Sequence, residues 1–337
     1  MTANEGAGNG TAARLKVGMY WASSCGGCDI SLLEIAEHLL ELIEVADIVF
    51  WPCVADFKYQ TVAGYPDGSI DLCLFNGGIR SSEHERVARL IRQKSRTLAA
   101  YGACAMDGGI PALANLKSPR EIYDAVYHSN PSLANPGKVE PVTTWESPCG
   151  ELELPEFYPQ VLRLADVVEV DYQIPGCPPV GAQVWKVLQA VIAGEVPARN
   201  AAVRVGCDNR SVCDECHLEK RNVRVKEFKR LHLAIPEPNW CLLEQGFVCL
   251  GPATRSGCGA ICTKGGVACR GCYGSSGLAE DQGTAILSAI GSIVDATTEE
   301  RAREIVDQIA DPTGTFYRFS LASSRLKARA GATRSER

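Results

Sequence analysis

The stretch Leu15-Lys-Val-Gly-Met-Tyr-Trp21, running through Ala22-Ser-Ser into Cys25-Gly-Gly-Cys28-Asp29, decides the fold. Its first half is a β-type run, and a helical pattern follows it from roughly Ile30 to Val45. A strand that feeds a helix through a glycine turn opens a βαβ unit. Further strand-like runs lie at Ala46–Pro52, Ile70–Asn76, Thr97–Gly102 and Val167–Ile174. An amphipathic helix is expected at Ser82–Ser95, and a last one at Val180–Ile192 ends before Gly194 and Pro197. This alternation predicts an α/β fold with a doubly wound parallel sheet.

In such a sheet the segments that leave the strands share one edge, which is the ligand crevice. Cys25 and Cys28 follow the first strand, Cys104 in AYGACA follows the fourth, and Cys177 in IPGCPP follows the fifth. A CxxC by itself reads first as a thioredoxin-type redox pair. Four thiolates converging on one edge instead make a closed site suited to a [4Fe-4S] cluster, with no ligand position left for a substrate. Glycines between the first two cysteines let the backbone curl round such a cluster, and the helix N-terminus adds N–H groups and a positive dipole.

The rest of the chain agrees with a metal-holding protein. Its 337 residues are 46% apolar and 22% charged, enough for two domains with cores. A net charge of -6 gives no general attraction to nucleic acid or an anionic membrane. No apolar run spans a bilayer, since Leu39 to Phe50 is broken by Glu41, Glu44 and Asp47. Met1 to Ala13 reads as a disordered lead-in without a signal, and the expected location is the cytoplasm. Sixteen cysteines in a reducing compartment point to metal ligation in place of disulfides. With five histidines, the ligand sets must be mostly thiolate, which leaves iron-sulfur clusters or structural zinc. Phosphate-loop, dinucleotide and serine-elbow motifs do not occur.

Composition divides the chain near residue 197. The first domain, 14 to 197, carries a proline-rich insertion at about 113 to 164. The second, 198 to 322, is a cysteine-rich, mostly irregular or α-helical domain, and 323 to 337 is a basic, solvated tail ending in RLKARAGATRSER. The second domain has the spacing Cys213-x2-Cys216-x24-Cys241-x7-Cys249-x8-Cys258-x3-Cys262-x6-Cys269-x2-Cys272, which amounts to two quartets with no histidine at a ligand offset. Two zinc ribbons need the same count, but zinc carries no electrons, and a thiolate site in the first domain favours a chain of like cofactors. This domain is expected to lack a conventional apolar core and to unfold on losing its metal. A last helix is expected from Leu278 to Ile293, with a continuation through Glu299 to Ile309 left open.

Four cysteines fall outside the quartets. Cys73 reads as a small buried hydrophobe in a strand. Cys53 and Cys149, in loop-like settings, stand as alternative ligands, and Cys207 competes with Cys213. His38, His84, His128, His217 and His232 read as structural or solvated.

The segments SSCGGCD, YGACA and IPGCPP resemble the proximal-cluster motifs of nickel-iron hydrogenase small subunits and of the 20-kDa subunit family of complex I. The complex I likeness covers only the flavodoxin-like first domain, whereas the hydrogenase likeness covers about residues 15 to 320. The run CLLEQGFVCLGPATRSGCGAICTKGGVACRGCYG and the later DPTGTFYRFS are most similar to the cytoplasmic, F420-non-reducing (methyl-viologen-reducing) branch. The resemblance implies three [4Fe-4S] clusters: proximal on Cys25, Cys28, Cys104 and Cys177, distal on Cys213, Cys216, Cys241 and Cys249, and medial on Cys258, Cys262, Cys269 and Cys272. In the distal set a cysteine stands where the family usually has histidine, and the fourth medial thiol stands where it often has proline. The resemblance also implies a NiFe centre in a separate large subunit and a higher-order hetero-oligomer. The downstream acceptor is expected to be a heterodisulfide-reductase-linked or small [2Fe-2S] protein. Glu34 or Asp29 is a candidate for proton transfer, against the plainer reading that acidic residues in a first helical turn offset the dipole. The competing functions are a complex I-like quinone-reductase subunit and a zinc-stabilised binding scaffold.

Overall fold

The computed structural model describes residues 14 to 277 and 279 to 326. Six strands, β1 (Leu15–Trp21), β2 (Ala46–Phe50), β3 (Ile70–Asn76), β4 (Ser95–Tyr101), β5 (Tyr172–Ile174) and β6 (Val203–Arg204), form one parallel sheet in the order β6-β5-β4-β3-β1-β2. Without the edge strand β6 this is the flavodoxin-like order, with its switch point between β1 and β3. The main helices are α1 (Gly27–Leu33), α2 (His38–Val45), α3 (Ser82–Lys94), α4 (Gly181–Ile192), α5 (Gln282–Ile293) and α6 (Glu299–Val306).

Both faces of the sheet are covered, which explains the unbroken apolar run of β3, where all but Asp71 is buried. Met19, Leu72, Leu74 and Tyr101 pack under α4 on one face, and Tyr20, Phe75, Leu98 and Ala100 pack against Val87, Ala88 and Ile91 of α3 on the other.

The helical pattern expected over Ile30–Val45 is in fact two helices. Ala36 sits between them at φ 54°, a left-handed turn that no breaker residue announces. The strand expected at Val167–Ile174 shrinks to β5, because Asp171 fixes the chain just before it. One Asp171 oxygen meets Arg92 at 2.6 Å and accepts the Leu98 N–H at 2.8 Å, while the other accepts the Asn200 N–H at 2.8 Å. With both charges buried and hydrogen-bonded, this pair locks the ends of three segments at the sheet's far edge. The strand β6 comes from beyond the composition change at residue 197, so the sheet draws its edge from the cysteine-rich side.

Within 113 to 164, Thr144–Ser147 and Gly150–Glu153 form an exposed hairpin, and Phe157–Leu162 pairs with Ile79–Ser81. The second half departs from the expectation of a core too poor in apolar side chains. Val225, Phe228, Leu242, Phe247, Ile286 and Phe316 are buried together in one cluster. They come from chain segments far apart in sequence, so no local periodicity betrays them. The helix expected from Leu278 to Ile293 is α5, starting at Gln282, and the continuation left open is a separate helix, α6; each has its own N-cap, Asp281 accepting the Thr284 N–H and Thr298 the Arg301 N–H. Leu278, the lead-in 1 to 13 and the tail from 327 to 337 lie outside the described residues. Among the described residues no helix is long and apolar enough to cross a membrane.

Candidate metal centres

The register of the sheet assembles the first site. Trp21 lies beside Asn76, Asn76 beside Tyr101 and Tyr101 beside Ile174, so the last residues of β1, β3, β4 and β5 form a row. Cys25, Cys104 and Cys177 each follow that row within a few residues, and Cys28 enters from the first turn of α1. The Ala103 N–H donates to Gly176 O at 2.8 Å, tying the Cys104 loop to the Cys177 loop.

Burial raises the Cys28 thiol, and the neighbouring Cys104, Cys177 and Cys25 raise it further. Cys104 is pushed up to about 12 by burial and then by Cys177 and Cys25. The quartet read from the sequence is thus brought together. Two glycines make room for it. A Cβ at Gly102 would lie 2.5 Å from the Cys28 sulfur, and one at Gly109 would lie 2.5 Å from the Cys104 sulfur. Gly102 also has φ 85°, a conformation that suits glycine.

Asp29 is buried behind this loop and acts as its anchor. It accepts Trp51 Nε1–H at 2.8 Å and Asn76 Nδ2–H at 2.9 Å, and the Cys53 thiol bonds to it as well. Ser24 in turn donates to Asn76 at 2.7 Å. Glu34, at the end of α1, is exposed.

The second half brings together two more groups. Cys213 is pushed up to about 12 by burial, with Cys249, Cys241 and Cys216 close enough to raise it too. Cys249 reaches about 11 through burial, offset by the N–H groups of Gly251 and Cys269 that point at its sulfur. Cys272 is pushed up to about 12 by burial, and both Cys262 and Cys258 stand beside it. Burial also raises Cys258 and Cys269. The Cys258 loop is folded by Glu215, whose carboxylate accepts the Gly257 N–H at 2.8 Å and the Gly259 N–H at 3.1 Å.

The three groups adjoin one another in a row. The Cys177 N–H donates to the Cys272 sulfur, and the Cys269 N–H donates to the Cys249 sulfur at 3.3 Å. Gln183 on α4 holds the halves in this relation. Its amide donates to Gly206 O and Gly257 O, and its oxygen accepts the Tyr273 hydroxyl at 2.6 Å.

All sixteen cysteines are free, and the grouped ones are thiols without histidine. Soft, all-sulfur donor sets with a glycine-lined approach fit iron-sulfur clusters.

The family model of the NADH ubiquinone oxidoreductase 20 Kd subunit matches residues 25–191. The iron-sulfur subunit of an F420-non-reducing hydrogenase from Archaeoglobus profundus is 38% identical over 318 residues, covering 93% of this chain and 98% of that one. The corresponding subunit of the F420-non-reducing vhu hydrogenase of Methanocaldococcus jannaschii is 38% identical over 316 residues, covering 94% and 98%. The chain belongs to the family of F420-non-reducing hydrogenase iron-sulfur subunits. A chain of an NAD+-reducing [NiFe]-hydrogenase structure in the H2-reduced state aligns with 55% of this subunit and 94% of its own length, at 30% identity and a TM-score of 0.47. Membership in the family makes the protein part of a hydrogenase, with a role in electron transfer.

The cysteines outside the three groups have separate settings in this hydrogenase subunit. Cys73 is fully buried in β3, where a Cβ on Gly18 would come within 3.2 Å of its sulfur. Cys149 is exposed in the hairpin turn, and Cys53 bonds to Asp29. Cys207 lies near Arg255 and Arg204, and a Cβ on Gly257 would lie 3.0 Å from the Cys207 Cβ. His38 stacks on Trp185 at 4.6 Å. Asp124, His128 and Glu140 converge on the insertion, but Arg120 bridges both carboxylates and already supplies the positive charge that a cation would bring.

The supporting residues Gly102, Gly109, Glu215 and Gln183 escaped the reading of the sequence. A signal existed only for the glycines, which flank Cys104 in YGACAMDGG.

Proposed function

We propose that the chain is the electron-conducting small subunit of a cytoplasmic nickel-iron hydrogenase, holding three [4Fe-4S] clusters. Cys25, Cys28, Cys104 and Cys177 would hold the proximal one, Cys258, Cys262, Cys269 and Cys272 the medial one, and Cys213, Cys216, Cys241 and Cys249 the distal one. The observation that carries the reading is the pair of contacts, Cys177 with Cys272 and Cys269 with Cys249, which leaves no gap between neighbouring thiol groups. When bound, the clusters supply one-electron steps at low potential.

The chain buries Cys28, Cys104, Cys249 and Cys269, half-buries the other six proposed ligands of the second half, and fixes their spacing. Cys25 and Cys177 reach the surface at the sheet edge, where Trp21, Ile30 and Leu33 are also exposed. Such an apolar face suits a large subunit carrying the nickel-iron centre. Asp29 is occupied by three donors and serves to anchor, so Glu34, exposed beside that face, is the residue we assign to proton movement. Electrons would leave through the distal group to a separate acceptor protein.

Anaerobically purified protein should contain about twelve iron atoms per chain. It should show broad visible absorption bleached by dithionite, and it should copurify with a large subunit bearing CxxC pairs near both ends. About eight iron atoms, stoichiometric zinc or a quinone-linked partner in place of that large subunit would overturn the reading.

A further inference from the structure

On a chain of net charge -6, one concave surface of the second half is strongly basic. A groove of about 360 Å³ opens there, and its lining carries Lys229, Arg230, His232, Arg270 and Arg318 with no carboxylate. Lys229 pairs with Glu227 at 2.9 Å, while Arg230, Arg270 and Arg318 have no ion-pair partner among the described residues. Unpaired like charges gathered in one hollow repel each other, and an anionic partner would relieve that repulsion.

The groove's position gives it meaning. Val248 and Leu250, on either side of Cys249, line it, as do Ala268 and Arg270, on either side of Cys269. The groove therefore lies against the two segments whose cysteines touch, with the sequence neighbours of Cys249 and Cys269 in its lining. The loop that forms one wall adds Leu231 to the lining and continues into Leu233, 71% exposed, and Ile235, 97% exposed. Apolar side chains standing free beside arginines have the composition of a protein-protein contact, where a small anion would need only the charges.

We propose that this groove docks an acidic electron-carrier protein, one that presents carboxylates around its redox centre. The proposal rests on the electron-conducting reading and adds to it the exit surface and the charge of the acceptor.

The test uses the whole anaerobic hydrogenase complex, with hydrogen as donor and two acceptors: a small acidic [2Fe-2S] ferredoxin and a dicationic viologen dye. Ferredoxin reduction by the natural protein should fall steeply with ionic strength. In Arg230→Glu with Arg318→Glu, its second-order rate should drop about tenfold or more at low salt, with dye reduction and iron content unchanged. Arg230→Lys with Arg318→Lys should restore most of the rate. Ferredoxin reduction that is absent, or indifferent to both salt and charge reversal while dye reduction persists, overturns the docking proposal alone. Loss of the large subunit from the Glu variant also overturns it, because the groove would then be an inter-subunit face. Failure of the natural complex to reduce either acceptor overturns the electron-conducting reading itself.

Discussion

The two halves of the molecule hold their thiols by different means. At the sheet edge, Cys25, Cys104 and Cys177 are delivered by strand ends whose register is set by hydrogen bonds along β1, β3, β4 and β5. Beyond the edge strand β6 the described residues of the second half add nothing to that sheet, and the thiols sit in short turns and irregular chain: Cys213 in the 3-10 turn Val212–Asp214, Cys249 in irregular chain, Cys258 in a bend and Cys272 in a turn. Those turns are shaped by side chains such as Glu215 and packed over an apolar core that includes Phe247, Leu250 and Ile286. The backbone round the first group is held closely enough that a Cβ at Gly102 or at Gly109 would run into its sulfurs, whereas turns leave more play. Gly251, the corresponding glycine of the distal group, is not so tightly enclosed.

The sharpest way to break this comparison is Gly102→Ala. The new methyl would meet the Cys28 sulfur at 2.5 Å in a backbone at φ 85°, and neither strain can be relieved without moving β4 or α1. About four of the expected twelve or so iron atoms should be lost, with the far-ultraviolet dichroism of the sheet preserved. Full iron occupancy in the variant would show that strand ends do not hold the first group rigidly.

A second pair of substitutions compares the cores directly. Leu72 in the sheet and Leu250 in the cysteine-rich half are both almost wholly buried, so alanine at either should cost about 2–5 kcal/mol in urea unfolding of the iron-free protein. A similar cost at both sites means that the second half folds on its own apolar contacts. If Leu250→Ala changes nothing without iron, and protease then digests only the second half, metal alone holds that half together.

The same contrast explains what could be read from the sequence. Ile70–Asn76 was legible because a strand buried on both faces must be apolar throughout, and Cys104 and Cys177 were legible because they follow strand ends at short, equal offsets. The eight cysteines of the second half could be counted as two quartets from their spacing, while the division into a Cys213 set and a Cys258 set came from the family resemblance. The contacts that order the groups, Cys177 with Cys272 and Cys249 with Cys269, could not be read, since the first depends on how Gln183 docks one half on the other. Val225, Phe247, Ile290 and Phe316 meet only after the chain has turned many times, so their core left no periodic trace. Ala36 had no signal either, because alanine carries no preference for the left-handed turn that divides α1 from α2.

The smallest effect should come from Gly251→Ala, the counterpart of the first substitution. Here the added methyl would stand 3.2 Å from the Cys213 sulfur and 3.6 Å from the Cys249 sulfur, so the thiols must give by only a few tenths of an ångström. No left-handed backbone is needed at this position, so the contact with the two sulfurs is the strain that the variant has to relieve. The expected cost is about 1 kcal/mol of stability, at the low end for a methyl forced into packed surroundings, with the full complement of iron retained. Iron per chain and the urea midpoint check both halves of that expectation. Loss of about four iron atoms would mean that turns grip the distal thiols as firmly as strand ends grip the proximal ones, because a displacement this small would then be enough to exclude a cluster.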